Sequence, residues 1–179
     1  SMNDDGMIVL PTHRLFKGVP AYDSAILISK IESDFDTQVV GTGTELASAV
    51  WEQIEVDDAQ DSVGLFCPVD ETWVLATLNT NGMEKLAEVA SDRTDDWQGL
   101  GVSILHRLLV ETCLGHEAPP KPKYVHLVQE VVDSLTVGTD DDGEAFGLAV
   151  LVMPATLEHI RTISKNGERM PAKSTYFYP

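Results

Sequence analysis

Short apolar runs and longer amphipathic stretches alternate along the chain. Runs rich in β-branched and aromatic residues, bounded by turn residues, predict strands. These runs cover residues 7–11, 35–40, 62–67, 72–78, 124–128 and 145–152. Stretches in which apolar residues recur every three or four positions predict helices instead. They cover residues 22–33, 41–56, 95–115, 129–138 and 154–167.

The order of these elements predicts the fold class. The runs at 62–67 and 72–78 are separated only by the turn sequence PVDE, which predicts an antiparallel hairpin. The remaining strands are separated by helices, so we expect an α/β (mixed α+β) fold with one mixed, partly antiparallel sheet and helices packed on it. No repeat or long linker divides the chain. Residues 7–179 are therefore expected to form a single domain, after a vector remnant and a disordered start at residues 1–6.

Two helices carry local signals in addition to their periodicity. In the helix predicted at 41–56, Thr42 and Glu45 match a capping box, and the residues expected on the inner face are Leu46, Ala49, Val50 and Ile54. In the helix predicted at 95–115, leucines keep helical spacing, and Gly115 is placed to end the helix in a left-handed conformation.

The net charge of the chain argues against some classes of binding partner. The formal net charge is -17, and the last 29 residues contain two acidic and four basic side chains. So acidic a surface repels a phosphate backbone, and we expect no nucleic-acid partner. No apolar run approaches the roughly 20 residues of a membrane helix, and the amino terminus lacks a cationic leader, so we expect no membrane partner and a cytoplasmic location. Cys67 and Cys113 are isolated and are expected to be buried thiols.

Three motifs have a functional and a structural interpretation. GERMPAKS (residues 167–174) resembles a phosphate-binding loop, but a predicted helix precedes it and an aromatic strand-like run follows, the reverse of the required order. VVGTGTEL (39–46) has the order of a dinucleotide site but lacks the third glycine, and a helix cap is the favoured interpretation. The acidic run 140–144 is too short for a calcium loop, which favours a solvated turn. No histidine pair has the spacing of a zinc site, and neither a metal nor a cofactor is predicted.

Cationic and hydroxyl side chains near the predicted strand ends form the candidate site. PTHRL places Thr12, His13 and Arg14 after the first strand, and His126 lies at the end of another, where α/β proteins commonly bind ligands. Each residue also has a structural interpretation, but together they are the types that hold an anion. The predicted ligand-binding residues are His13, Arg14, His126, Lys173, Ser174, Thr175 and Tyr176. Either His13 or His126 is the expected acid or base, because the pKa of imidazole is about 6.5.

Four segments also carry a family resemblance. LPTHRL (10–15), LGVSILHRLLVETCLG (100–115), YVH (124–126) and GERMPAKSTYFYP (167–179) resemble, in order, the carboxyl-terminal half of the family described as domain of unknown function 1015. The family motif continues with lysine after YFYP, and its amino-terminal half carries an Asp-Gly-His-His-Arg sequence. Neither is present here, so the resemblance implies one half of a longer protein. The missing half is similar to the ParB and sulfiredoxin-like group, some members of which transfer phosphate to small molecules such as serine.

Two hypotheses from different classes follow. In the first, the chain is part of an enzyme or binding protein for a small anionic metabolite. The more specific form of this hypothesis is a phosphorylated metabolite and a phosphotransferase-like activity that needs the amino-terminal half. In the second, the chain is a non-catalytic interaction domain that docks on the missing half or on a second copy, with residues 176–178 as an edge strand or interface anchor. The first requires residues near the two ends of the chain to meet.

Overall fold

The computed structural model describes residues 8–56, 61–89, 104–116, 122–153 and 175–178. The strands in these ranges are β1 (Ile8–Pro11), β2 (His13–Lys17), β3 (Phe35–Thr42), β4 (Ser62–Cys67), β5 (Thr72–Leu78), β6 (Lys123–Val125), β7 (Phe146–Val152) and β8 (Thr175–Tyr178). The α-helices are α1 (Ser24–Ile31), α2 (Ala47–Val56), α3 (Thr80–Val89) and α4 (Val128–Val137). A 3-10 turn (Thr44–Leu46) precedes α2, and a π-helix (Ile104–Cys113) precedes β6.

Six strands form one open sheet in the order β3-β5-β4-β7-β2-β6. The α/β class with helices on a sheet is confirmed, as is the hairpin of β4 and β5, in which Phe66 lies opposite Trp73. Among the described strands every pairing is antiparallel. The two central strands, β4 and β7, are buried along their whole length. They are also near-continuous apolar runs, as burial on both faces requires.

Helices cover both faces of this sheet. On one face the core contains residues of α1, α3 and the π-helix, and on the other it contains residues of α2 and α4. Successive side chains of β4 alternate between the two cores, with Leu65 in the first and Phe66 in the second. A Cβ at Gly64 would lie 2.6 Å from Val50 Cγ1, so the glycine permits α2 to approach the sheet closely.

The two ends of the described chain lie side by side. β1 and β8 form a separate two-stranded antiparallel ladder in which Pro11 is opposite Thr175 and Leu10 is opposite Tyr176. Because β2 begins two residues after Pro11, this ladder adjoins the start of β2. The hypothesis that required PTHRL and the closing motif to be neighbours is therefore consistent with the backbone.

Several local predictions differ from the structure. Thr12–Arg14 do not simply follow the first strand, because His13 already begins β2, and α3 was not predicted at all. The inner face of α2 consists of Ala47, Val50 and Ile54, whereas Ala49 is exposed. The predicted capping box at Thr42 is wrong, since Thr42 belongs to β3.

One further local prediction agrees with the structure, and others concern residues that the structure does not describe. Gly115 has a φ of 76°, the left-handed value expected where the preceding helix ends. The π-type hydrogen bond from the Leu114 amide to the Leu109 carbonyl, 2.9 Å long, lies just before it. The predicted helix at 154–167 and the first part of the helix predicted at 95–115 lie outside the described residues. None of the described helices is long and apolar enough to cross a lipid bilayer.

Candidate functional site

Three consecutive polar residues are buried where β2 begins. Thr12 is 1% exposed, and His13 and Arg14 are 0% exposed. Polar side chains are rarely so deeply buried unless they are hydrogen-bonded or serve a function. These residues, with Tyr124 on β6 and His126 just after it, are called the strand-start cluster below.

His13 and Arg14 point to opposite faces of the sheet, because successive side chains of a strand alternate. His13 shares its face with Leu15, whose side chain belongs to the core under α2 and α4. Arg14 shares the other face with Phe16, and with Tyr124, which lies opposite it on β6. The predicted pocket with both side chains on one wall is therefore not what the strand forms. The cluster instead has side chains on both faces of the sheet, at the point where β2 begins.

The His13 ring is fixed by two contacts. Its Nδ1 accepts a hydrogen bond from the Val152 amide at 3.1 Å, and its ring meets the half-buried Trp51 ring of α2 edge-on, with centroids 4.7 Å apart. Since Nδ1 is the acceptor, the proton of the neutral ring is on Nε2. His13 can then only donate from Nε2, and the direction of that N–H is set by the register of β2 against β7.

The environment of His13 keeps its ring neutral. Burial lowers its pKa from 6.5 to about 3, and the positive charges of Arg14 and His126 add to this effect. An acid–base role for His13 near neutral pH is therefore not supported, and its chemistry is that of a hydrogen-bond donor.

Arg14 supplies the buried cation of the cluster. Its Nη1 donates to the Thr12 carbonyl at 2.7 Å, and its guanidinium lies over the Tyr124 ring, 5.4 Å from the centroid. Burial lowers the pKa of Arg14 to about 10, so the side chain stays charged at neutral pH. Stacking on an aromatic face partly compensates a desolvated guanidinium.

Two buried polar atoms of the cluster lack a partner. Within the part of the chain that the structure describes, Thr12 Oγ1 and His13 Nε2 have no hydrogen bond. An unsatisfied buried polar atom costs about 1–3 kcal/mol, so native proteins keep few of them. Both belong to adjacent residues beside the Arg14 cation, which makes the cluster the strongest candidate for a ligand site.

His126 lies beside the cluster and next to a helix that is already capped. Glu130 Oε1 accepts from the Leu127 amide at 3.0 Å and from the His126 amide at 3.3 Å. This carboxylate occupies the first turn of α4, where an anion would otherwise bind. The half-buried His126 is electrostatically coupled to His13. An anion at the cluster would therefore be held by side chains rather than by the helix terminus.

The remaining predicted site residues belong to the closing motif. The backbones of Thr175 and Tyr176 pair with Pro11 and Leu10, immediately before the cluster. Lys173 and Ser174 lie outside the described residues. The structure thus places His13 and Arg14 at the start of β2 on opposite faces of the sheet, with His126 just after the neighbouring β6. The backbone of Thr175 and Tyr176 pairs with the residues just before them.

Trp51 and the Val152 amide were not predicted as parts of the site. Neither has a local sequence signal, because each reaches His13 through long-range packing of α2 or pairing of β7. Tyr124 was recognisable only as a residue on the predicted strand with His126. Its position opposite Arg14 depends on the register between β2 and β6.

The glycine-rich turn before α2 is unsuited to phosphate. Gly43 has a φ of 109°, and the Glu45 carboxylate lies directly against it, where a Cβ would be placed. The Gly43 carbonyl also accepts a hydrogen bond from Trp73 Nε1 at 3.0 Å. A carboxylate at this position repels phosphate, which argues against a dinucleotide site at VVGTGTEL, although the helix cap expected there is not formed by Thr42 either.

A second buried polar centre lies around Asp34 and is fully partnered. This 1% exposed residue accepts from Asn81 Nδ2 and from Cys113 Sγ, both at 3.1 Å, and Lys85 Nζ is 3.3 Å from Oδ2. Burial, with the neighbouring carboxylate, raises the pKa of the Cys113 thiol to about 12. This is a protonated, unreactive thiol in a structural role. Both cysteines are free, Cys67 buried and Cys113 half-buried.

No group of three or more metal-binding side chains occurs among the residues with described positions. Comparison with family models, with curated proteins and with solved structures gave no match to this chain.

Proposed function

We propose that the chain binds a small anionic metabolite at the strand-start cluster. The observation that supports this most directly is the pair of buried atoms Thr12 Oγ1 and His13 Nε2, which have no hydrogen-bond partner among the described residues and lie just before the charged Arg14 in the chain. A hydroxyl and an imidazole N–H are both donors to an oxyanion, and the charge of Arg14, whose side chain lies on the other face of the sheet, favours an anion electrostatically. One ligand with several acceptor oxygens would satisfy groups that otherwise destabilise the fold.

Electrostatics favour a negative ligand at this position. His13 adjoins the charged Arg14, and burial strengthens any charge interaction there by reducing screening. Elsewhere the acidic surface repels anions at long range. We expect binding to be selective for small anions rather than for extended polyanions such as nucleic acid.

Both unpartnered atoms are closed off from solvent, so a ligand reaches them only when neighbouring groups move apart. Such binding has an energetic cost, and a preorganised donor set offsets part of it. The closing motif adjoins the cluster through β8, and the proposal includes Lys173, Ser174 and Thr175 as additional donors. The resemblance to domain of unknown function 1015 extends it: a phosphotransferase-like reaction would require the amino-terminal half of a longer protein.

The proposal is tested by calorimetric titration with inorganic phosphate, phosphoserine, nucleotides and related acids. We expect at least one of these anions to bind and Lys173→Ala to weaken that binding. Lys30→Ala, which removes an exposed lysine at the end of α1, is the matched control and should have no effect. Absence of heat across the panel, or equal binding by both variants, would contradict the proposal.

A second candidate function is self-association through the terminal ladder. β1 and β8 pair only with each other among the described strands, and an isolated two-stranded ladder is marginally stable in water. A free edge of this ladder can pair with the same edge of a second copy about a two-fold axis. Light scattering on the chain with and without residues 174–179 tests this. An unchanged monomer in both forms would count against it.

A further inference from the structure

We infer that His13 is the residue that determines which chemical group the strand-start cluster accepts, admitting an acceptor-only oxyanion and excluding ligand groups that donate hydrogen bonds. The inference rests on the proposed function and names the ligand chemistry of the same site. The geometry of the ring leaves Nε2 only one role, that of a hydrogen-bond donor.

The backbone fixes the tautomer. Val152 belongs to β7, and its amide donates to His13 Nδ1, so that nitrogen cannot carry the proton of the neutral ring. The Trp51 ring, at 80° to the imidazole, blocks reorientation from the side of α2. If the ring proton moved from Nε2 to Nδ1, the Val152 amide N–H would face another N–H instead of an acceptor. His13 therefore presents a donor at Nε2 in a fixed direction.

A fixed neutral donor discriminates between ligand groups. A carboxylate, sulfate or phosphate oxygen can accept from Nε2–H, whereas an ammonium or amide N–H placed there would meet another donor. The charge of Arg14, the next residue along β2, separately disfavours a cationic ligand by repulsion. Thr12 Oγ1, the second unpartnered atom, can donate to another oxygen of the same oxyanion.

Two substitutions separate the two ring nitrogens. Asparagine at position 13 can place its oxygen near the position of Nδ1, keeping the acceptor for Val152 while losing the Nε2 donor. Glutamine can place its amide near the position of Nε2, keeping the donor while losing the acceptor. A purely structural role predicts that His13→Asn is the milder change in every measurement. A ligand role predicts that the order reverses for binding.

Calorimetric titration with sulfate and with inorganic phosphate measures binding, and thermal melting measures folding. We expect His13→Asn to melt at a higher temperature than His13→Gln but to bind about tenfold more weakly than the wild type. His13→Gln should bind within about threefold of the wild type. The same ranking in melting and in binding would overturn the inference.

The failures of the two proposals are distinguishable. If the wild type binds no anion of the whole panel, the proposed function fails and the inference with it. If it binds another member of the panel, that anion replaces sulfate and phosphate in the comparison of the variants. If the wild type binds but His13→Asn binds equally well, only the inference fails. Should either variant not fold, ¹⁵N resonances of the His13 ring in the unmodified protein give the answer. Phosphate should shift the Nε2 resonance and leave Nδ1 nearly unchanged, and an unmoved Nε2 resonance in the bound protein would overturn the inference.

Discussion

Two buried polar centres in this molecule differ in whether their hydrogen bonds are complete. Asp34 is buried with partners on both carboxylate oxygens, supplied by α3 and the π-helix. Thr12 and His13 are buried to the same degree, yet each retains a polar atom without a partner among the described residues. A complete centre stabilises the fold, whereas an incomplete one costs stability. Burial alone therefore does not distinguish the two centres, whereas the missing partners of Thr12 and His13 among the described residues do, and these support the proposed ligand site.

The largest expected effect is at the complete centre. Asp34→Ala removes the acceptor for Asn81 and Cys113 and should lower the free energy of unfolding by about 2–4 kcal/mol. Urea denaturation measures this. Asp36→Ala, at an exposed position two residues away, is the control and should change stability by less than about 0.5 kcal/mol. Similar losses of stability for both variants would show that the hydrogen bonds of Asp34 stabilise the fold no more than an exposed carboxylate does.

The second effect is the pH dependence that His13 confers. In the unfolded chain His13 takes up a proton near its ordinary pKa of 6.5, but in the folded chain only near its lowered pKa of about 3. Between these values the unfolded state binds more protons, so the free energy of unfolding falls as the pH falls. Between pH 7 and pH 5 the loss is about 2 kcal/mol.

This pH dependence is measured by urea denaturation of the wild type and of His13→Asn at several pH values. The variant lacks the titrating ring, so its stability should fall less steeply between pH 7 and pH 5. Other titrating groups affect both proteins alike and cancel in the difference. Parallel curves would mean that His13 titrates in the folded protein as it does in the unfolded chain.

The smallest stability effect has the opposite sign. Thr12→Val removes an unpartnered buried hydroxyl at almost constant shape and should raise the free energy of unfolding by about 1 kcal/mol. Thr77→Val is the matched control, because the Thr77 hydroxyl is 2.9 Å from that of the buried Ser62. Its loss should lower the free energy of unfolding by about 1 kcal/mol. Thermal or urea denaturation compares the two, and a destabilised Thr12→Val would remove the contrast between the centres.

The sequence predicted the elements whose signal is local. The hairpin of β4 and β5 follows from two apolar runs and a short turn, and β7 follows from a continuous apolar run. α3 was missed because few apolar residues support its periodicity, with Met83 half exposed at 51% and Leu86 buried. β2 was missed because three of its five residues are the polar His13, Arg14 and Lys17 and because only one residue separates it from the preceding strand.

The candidate site was predictable only in part. The types and neighbourhood of His13, Arg14 and His126 indicated anion chemistry from the sequence. The separation of His13 and Arg14 onto opposite faces became clear only once β2 was known to be a strand. The tautomer of His13 depends on the Val152 amide, 139 positions away, and thus on a strand register that no local pattern encodes.

The most direct test of the central claim is calorimetric titration of the wild type and Thr12→Val with inorganic phosphate. The account predicts that the wild type binds phosphate and that the variant binds it about tenfold more weakly while being the more stable protein. This combination arises if the buried hydroxyl is retained for a ligand at the expense of stability. Equal dissociation constants for the two proteins, or a wild type that does not bind phosphate, would contradict the account.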